Sequence, residues 1–531
     1  RKVVCLSIVA QSNNMHCNAL QTLVGVFMQA CDASEAIRDF LSRVGLSISV
    51  SGINNVIDSL SKNATTAMKA QGQTLLTLFS FNNLDMVMKH SVPILNRPQN
   101  DQEHLTTGTM VVLHPQITTS QLRPSSSLWS SQIPNRALDI APSTPAANAE
   151  VMLELFKQAG IGDPLDHLGV VPIGDHAVLV SGDLLTGEHI RSLLETQSEE
   201  ATAWWKFSHI VFVPGLFHFK MACADALWHI FIYSKGSQAD ENSLMEHLGK
   251  IRPKETRKFA SVGQLDGWRS EVLEHFATRS LEECLKLIPS GDDLQALCEQ
   301  PDLSHDKNHE NILLRHQMFL LYEEITHAMN YGDIGRLEHA FPAWSFIFQA
   351  CGKHKYAAEL MWYLTDVHFR YPDGIKEAVC YNILINPTGK DGHWRGIDWL
   401  IEHNNLYTKF IYGGHYSNNQ KSRILKESTL IEVYKANRWQ LESMFSLSQK
   451  ATKHAQLDMT DTFQQLSIYM ETHKTNEIVL GRGTKYVIPD MMGKGMHIAM
   501  SDKGFHAMKD AAWETLLDEL EVEEDIRDLE V

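Results

Sequence analysis

The sequence predicts an α/β protein with a large helical share: a mixed sheet, interrupted by a long helical insertion and flanked by N- and C-terminal helices. Three observations carry this. Leu75–Phe81, Thr106–Leu113, Ala177–Val180 and Ser208–Pro214 are short apolar runs with the length and side chains of buried strands. Segments of helical period alternate with them. From Ser243 to Tyr371 the helical period continues with no strand signal, as an insertion would. A chain of 531 residues also exceeds what one core usually organises.

Residues 1–72 read as an N-terminal helical region, because Leu20, Leu23, Val24, Phe27 and Met28 recur at helical spacing, as do Ile37, Phe40 and Leu41. Residues 73–242 hold the first part of the core, with an excursion at 117–147 that is dense in Ser, Thr, Pro, Gln and Asn. Val151–Ala159 reads as a short helix, Leu184–Leu194 as another, and a third runs from Gly215 through Trp228. The insertion spans 243–371, the rest of the core and the C-terminal helices 372–510, and an acidic tail 511–531.

The net charge of −17 argues against a chain that wraps nucleic acid unaided, since phosphate neutralisation needs clustered Lys and Arg. Nine acids and one Arg lie between Glu514 and Glu530, so the tail carries about half of that charge as a solvated helix end. No apolar run approaches the ~20 residues that cross a bilayer, and no signal peptide is apparent. The eight cysteines form no CxxC pair and read as reduced, mostly buried thiols of an intracellular protein. A start at Arg1 rather than Met suggests a processed or partial chain. There is no HExxH, no zinc-finger spacing and no GxSxG elbow. Gly481–Lys485 lacks the Walker pattern and reads as a turn, Asp333 and Arg336 as an ion pair within the insertion, and Trp204–Trp205 as core or interface.

Three places carry acids or amides where an open α/β sheet puts its ligands. Phe81-Asn82-Asn83-Leu84-Asp85 follows the first apolar run, Gly182-Asp183 follows the third, and Asp398 and Glu402 share one helical face four residues apart. From its own stretch alone, Asp183 reads more readily as the N-cap of the helix that begins at Leu184. Acids on two strand ends and one helix, in that order, are the layout of RNase H-like nucleases and transposases. There two divalent cations ~3.5–4 Å apart activate the attacking oxygen and stabilise the leaving one, with hard oxygen ligands around them. Mg²⁺ or Mn²⁺ is the expected cofactor, held by Asp183 and Glu402 with Asp398 nearby and Asn82 or Asp85 completing the site, and with His218 and Asp225, on one helical face, as outer-shell candidates.

The segments LFSFNNLD, TTGTMVVL, VSGDLLTGEHI, VPGLFHFKMACADALWH, GDIGRLE, GKHKYAAEL and NPTGKDGHWRGIDWLIEHNN, with an N-terminal block from Ser12 to Asn55, resemble a domain family of unknown function. That family is abundant in mushroom-forming (basidiomycete) fungi and is transposon-derived in appearance. The resemblance covers Ser12 to Asn405 and implies aromatic-Asp-Asn-Leu-Asp as the first motif, where this chain has Asn82. An RNase H-like core with a helical insert before the final Glu is expected by analogy with cut-and-paste transposases. An amide brings no negative charge, so either Asp85 substitutes or the copy is dead or strongly impaired, the second being the expectation. The expected function is that of a transposase-derived protein, ancestrally a metal-dependent DNA cleavage and transfer enzyme. The alternative is a domesticated scaffold that binds protein partners or its own copy. DNA contact would need a further domain, no membrane contact is expected, and an intracellular, nuclear location is favoured over the cytoplasm.

Overall fold

The structure, a computed structural model, describes residues 2–89, 100–114, 132–163, 169–173, 176–200, 202, 204–232, 236–253, 267–287, 290, 292–294, 296, 306–413, 420–447 and 458–501. The acidic tail and the first part of the excursion, 117–131, fall outside them. The chain divides into two compact units: Arg1–Gly215 with Asp373–Gly389 and Gly396–Ala455, and Leu216–Pro372 with Lys390–Arg395 and Gln456–Val531.

The first unit holds an α/β core around a five-stranded mixed sheet. Its strands are β1 (Thr77–Lys89), β2 (Asn100–Val112), β3 (Gln132–Pro134), β4 (Val178–Gly182) and β5 (Ile210–Pro214). Their order is β3-β2-β1-β4-β5, antiparallel from β3 to β1 and parallel from β1 to β5. Its helices are α1 (Lys2–Asn13), α2 (Ala19–Ala30), α3 (Glu35–Arg43), α4 (Val50–Gly72), α5 (Pro145–Ala159), α6 (Leu184–Thr196), α7 (Asp373–Asn382), α8 (Ile397–Tyr412), α9 (Lys421–Glu427) and α10 (Ile431–Met444).

Alternation along β1 divides the core. Phe79 and Phe81 face α5 and α6 and pack with Met110, Val180, Leu155, Phe156 and Ile190. Leu84 and Met86, of opposite parity, face α2, α4 and the end of α8, where Ile53, Ile57, Ile411 and Tyr434 close a second cluster. Side chains on even positions of β1 therefore look toward α8.

Two expectations change here. The first apolar run does not end at Phe81: β1 pairs with β2 from Thr77 to Lys89, so the Phe81–Asp85 motif lies inside a strand. Register with β2, which a local apolar count does not register, sets the strand's length. The second change is β3, in a stretch expected to be loop: Ile133 pairs with Met110 and adds an edge strand.

The second unit is helical among its described residues, with Leu216–Phe231, Leu244–Ile251, Gly267–Leu285, Lys307–Tyr331, Ile334–Ala350, His354–Thr365, Thr460–Thr472 and Met491–Ala499. The Asp333–Arg336 ion pair does not form. Asp333 instead caps its helix by accepting from the Arg336 backbone N–H, and the Arg336 guanidinium pairs with Glu324. Gly481–Lys485 is irregular chain, anchored by Arg482 on Asp306 at 2.7 Å. The seven described cysteines are free thiols, but only Cys223 and Cys284 are buried while Cys5 and Cys17 are exposed, so "mostly buried" does not hold. No described helix is long and apolar enough to cross a membrane.

Candidate functional site

Three parallel strands bring the predicted residues to one level. Ser80 pairs with Ser181 across β1 and β4, so Asn82 and Asp183 each stand two residues further along. Gly182 pairs with Pro214 across β4 and β5, so Asp183 and Gly215 each stand one residue beyond. This is the carboxyl end of the parallel half of the sheet, the edge at which open α/β sheets bind ligands.

Helix α8 lies against that edge. Glu402 sits opposite Asn82, whose Nδ2 donates to its Oε1 at 2.6 Å. One turn earlier, Asp398 is only 3 % exposed. Its carboxylate fills the wedge between the ends of β4 and β5: a Cβ placed on Gly215 would stand 2.5 Å from Asp398 Oδ2 and 2.8 Å from the Gly182 carbonyl. Asp183 caps α6, accepting from the Thr186 backbone N–H at 2.8 Å, so the capping geometry is realised at the strand tip. Beneath the tips, Ser80 and Ser181 are cross-strand neighbours on the α8 side, buried, with hydroxyls that have no hydrogen-bond partner.

The amides after Glu402, which sequence reasoning did not single out, hold the helix in register. Thr107, the β2 partner of Asn82, donates to Asn405 Oδ1, while Asn405 Nδ2 donates to the Asn83 carbonyl at 3.2 Å. Asn404 donates to Thr109 Oγ1 at 3.3 Å and accepts from Lys435 at 3.2 Å. Asp398, Glu402 and Asn405 recur at helical spacing on one face. The two adjacent amides directly after the acid pair were the available signal: amides buried on a helix need polar partners. His403 stacks on Trp399 at 4.7 Å, and burial together with Lys435 holds its pKa down at about 4, so it is neutral at pH 7.

Asp85 is not brought to this site. It lies on the opposite face of β1 from Asn82, exposed, accepting from Asn83 Nδ2 at 2.9 Å and contacting His104 across the strand pair at 2.6 Å. His218 and Asp225 belong to the second unit, where Asp225 pairs with Lys353 at 2.6 Å. Among the described residues, no three His, Cys, Asp or Glu side chains stand close enough to hold a metal ion together. The donor set shows why Asn82 matters to this: its N–H points at a carboxylate oxygen that a cation would otherwise use. The residues as arranged do not fit a two-cation centre.

Gly215→Ala provides a local test of the wedge. The added methyl meets Asp398 and a backbone carbonyl that cannot both retreat, so we expect a loss of about 1–3 kcal/mol, as for overpacking. Urea unfolding against the parent measures it, and a change within ±0.5 kcal/mol would place Asp398 elsewhere.

Two overlapping matches, over residues 73–300 and 256–454, tie the chain to a family of unknown function, DUF6589. No curated protein matches it. Because those matches run through the sheet, its strand tips and α8, together more than half of the sequence, the chain belongs to DUF6589, the family of unknown function.

Proposed function

We propose that this is an RNase H-like protein of transposase descent, ancestrally a metal-dependent DNA strand cleavage and transfer enzyme, in which the strand-tip site no longer performs that reaction. The observation that carries the reading is the hydrogen bond from Asn82 to Glu402 between a strand of the sheet and α8, level with Asp183 and beside Asp398. Adjacent parallel strands with polar residues at one level, and a carboxylate-bearing helix laid across them, support an RNase H-like core. An antiparallel hairpin on the outer side of β1 is consistent with it. The amide in place of the first acid supports loss of cleavage, because it removes the charge that would draw two cations together.

This chain's residues now do structural work at the site. Asn82 donates to Glu402 and so neutralises no charge but satisfies it, Asp183 caps α6, and Asp398 fills the wedge at Gly215. The same interactions favour a scaffold that keeps the fold and binds other proteins or its own copy, which is the second reading. A transposon origin, a fungal source and a nuclear location accompany the proposal as inferences from the resemblance.

Asn82→Asp tests it. With an acid beside Glu402, two like charges meet and the variant should lose roughly 1–3 kcal/mol in EDTA, then recover it in Mn²⁺ or Mg²⁺ as linkage requires. Mn²⁺ calorimetry should show binding in Asn82→Asp that is weaker in the parent and abolished by adding Asp183→Ala. A variant that binds no more Mn²⁺ than the parent, and remains destabilised in its presence, would sink the RNase H-like reading and leave the scaffold.

A further inference from the structure

Among its described residues, the second unit buries a cation with no counter-charge. Arg315, on the helix Lys307–Tyr331, is 2 % exposed. Its Nη1 donates to the Asn242 carbonyl at 2.9 Å, but Nε and Nη2 have no partner. The guanidinium lies over the rings of Phe276 and Phe319, 5.5 and 6.0 Å from their centroids, so its surroundings are apolar on those sides.

The neighbouring carboxylates are engaged elsewhere. Asp306 holds Arg482 and caps the helix, and Glu283 holds Arg279 and Lys286. Asp240 accepts from Thr484 and from the Lys485 backbone N–H. The acid nearest in its electrostatic influence is the Cys284 thiol, which burial pushes up to about 11, so it is uncharged at neutral pH. His247, His309 and His316 are kept neutral, each chiefly by burial, and the charge of Arg315 adds to this at His247 and His316. An isolated buried charge is costly, and a water could bridge the two N–H groups without cancelling it.

Arg315 lines a cavity of about 20 Å³, together with Ser237, Asp240, Asn242, Asn308 and Tyr486. That volume suits one water-sized particle rather than a polyatomic oxyanion. We propose that this cavity is a halide site, in which one chloride-sized anion accepts from Nε–H and Nη2–H of Arg315 and supplies the missing negative charge.

The test is thermal unfolding of the full chain at constant ionic strength, with sodium gluconate replaced stepwise by chloride, bromide or sulfate. Chloride and bromide should raise the unfolding midpoint by an equal step for each tenfold increase above their Kd, sulfate should not, and Arg315→Met should lose the dependence. Equal shifts in sulfate, no shift with halide, or a halide shift that survives in Arg315→Met would each overturn the proposal. Should Arg315→Met fail to fold, ³⁵Cl line broadening of the parent decides: excess broadening that bromide removes supports the site, and its absence overturns it.

Discussion

Glu427→Ala is expected to cost about 3–5 kcal/mol of folding stability, because it removes the anion at the centre of a buried polar cluster. Glu427 is 4 % exposed and joins five helices. Its Oε2 accepts from Tyr412 at the end of α8 and from Tyr434 on α10, each at 2.9 Å, and from Gln29 on α2 at 3.2 Å. Its Oε1 accepts from Arg423 on α9 at 2.7 Å, and Gln29 in turn accepts from Arg38 on α3 at 2.6 Å. A buried guanidinium, Arg38, and a half-buried one, Arg423, thus depend on one carboxylate, and burial together with the nearby Arg423 already pushes the Arg38 pKa down. Burial and the Glu427 charge push both phenols up, so they remain protonated donors throughout the neutral range. Truncation leaves two cations and two hydroxyls to find other partners. Glu427→Gln keeps an acceptor while losing the charge and should fall between parent and alanine variant. Guanidinium unfolding of the three proteins measures this, and a loss below 1 kcal/mol in Glu427→Ala would mean that the cluster opens to water. The cluster also pins the C-terminal end of α8, so its loss should loosen the helix that carries Asp398 and Glu402.

Phe79→Ala should be comparably severe, at about 3–5 kcal/mol, because a buried ring is exchanged for a cavity that close-packed neighbours cannot fill. Phe79 is 1 % exposed, and its ring meets Phe156 edge to face at 5.1 Å with an interplanar angle of 77°. Phe156 continues to Trp204 at 6.0 Å, and Trp204 stacks on His209 at 5.2 Å. Truncating Phe79 therefore undermines the seat of α5 as well as its own contacts. A fall in the urea midpoint with an unchanged m-value is the expected signature. Phe79→Leu, which retains most of the volume, should lose less than half as much. Equal losses in the two variants would show that the ring geometry, rather than the space it fills, carries the energy.

The strands were legible where their apolar content was complete in itself. Ala177–Val180 and Ser208–Pro214 sit within or beside β4 and β5 because strands buried on both faces need an unbroken apolar run. Asp398 and Glu402 were legible as a pair, since α8 is periodic over a long stretch and four residues return a side chain to the same face. The extent of β1 was not legible, because Asn82, Asn83 and Asp85 resemble a strand end. They are held in the ladder only by their partners Thr107, Thr106 and His104 on β2. Nor was β3, whose pairing depends on Met110, some twenty residues earlier.

By itself the sequence determined the types of the long periodic helices and of the unbroken apolar strands, the helical character of the described part of 243–371, the pairing of Asp398 with Glu402 on one face, and the absence of charge at Asn82. Each of these follows from interactions within a few residues or from the identity of one side chain. Tertiary structure decided the rest. It set Asn82 against Glu402, turned Asp85 to the far face of its strand, placed His218 and Asp225 in the second unit, and left Arg315 buried with no carboxylate partner among the described residues. The physical reason is register: one residue of shift in a strand exchanges its two faces, and only partners hundreds of residues away choose which face looks at α8.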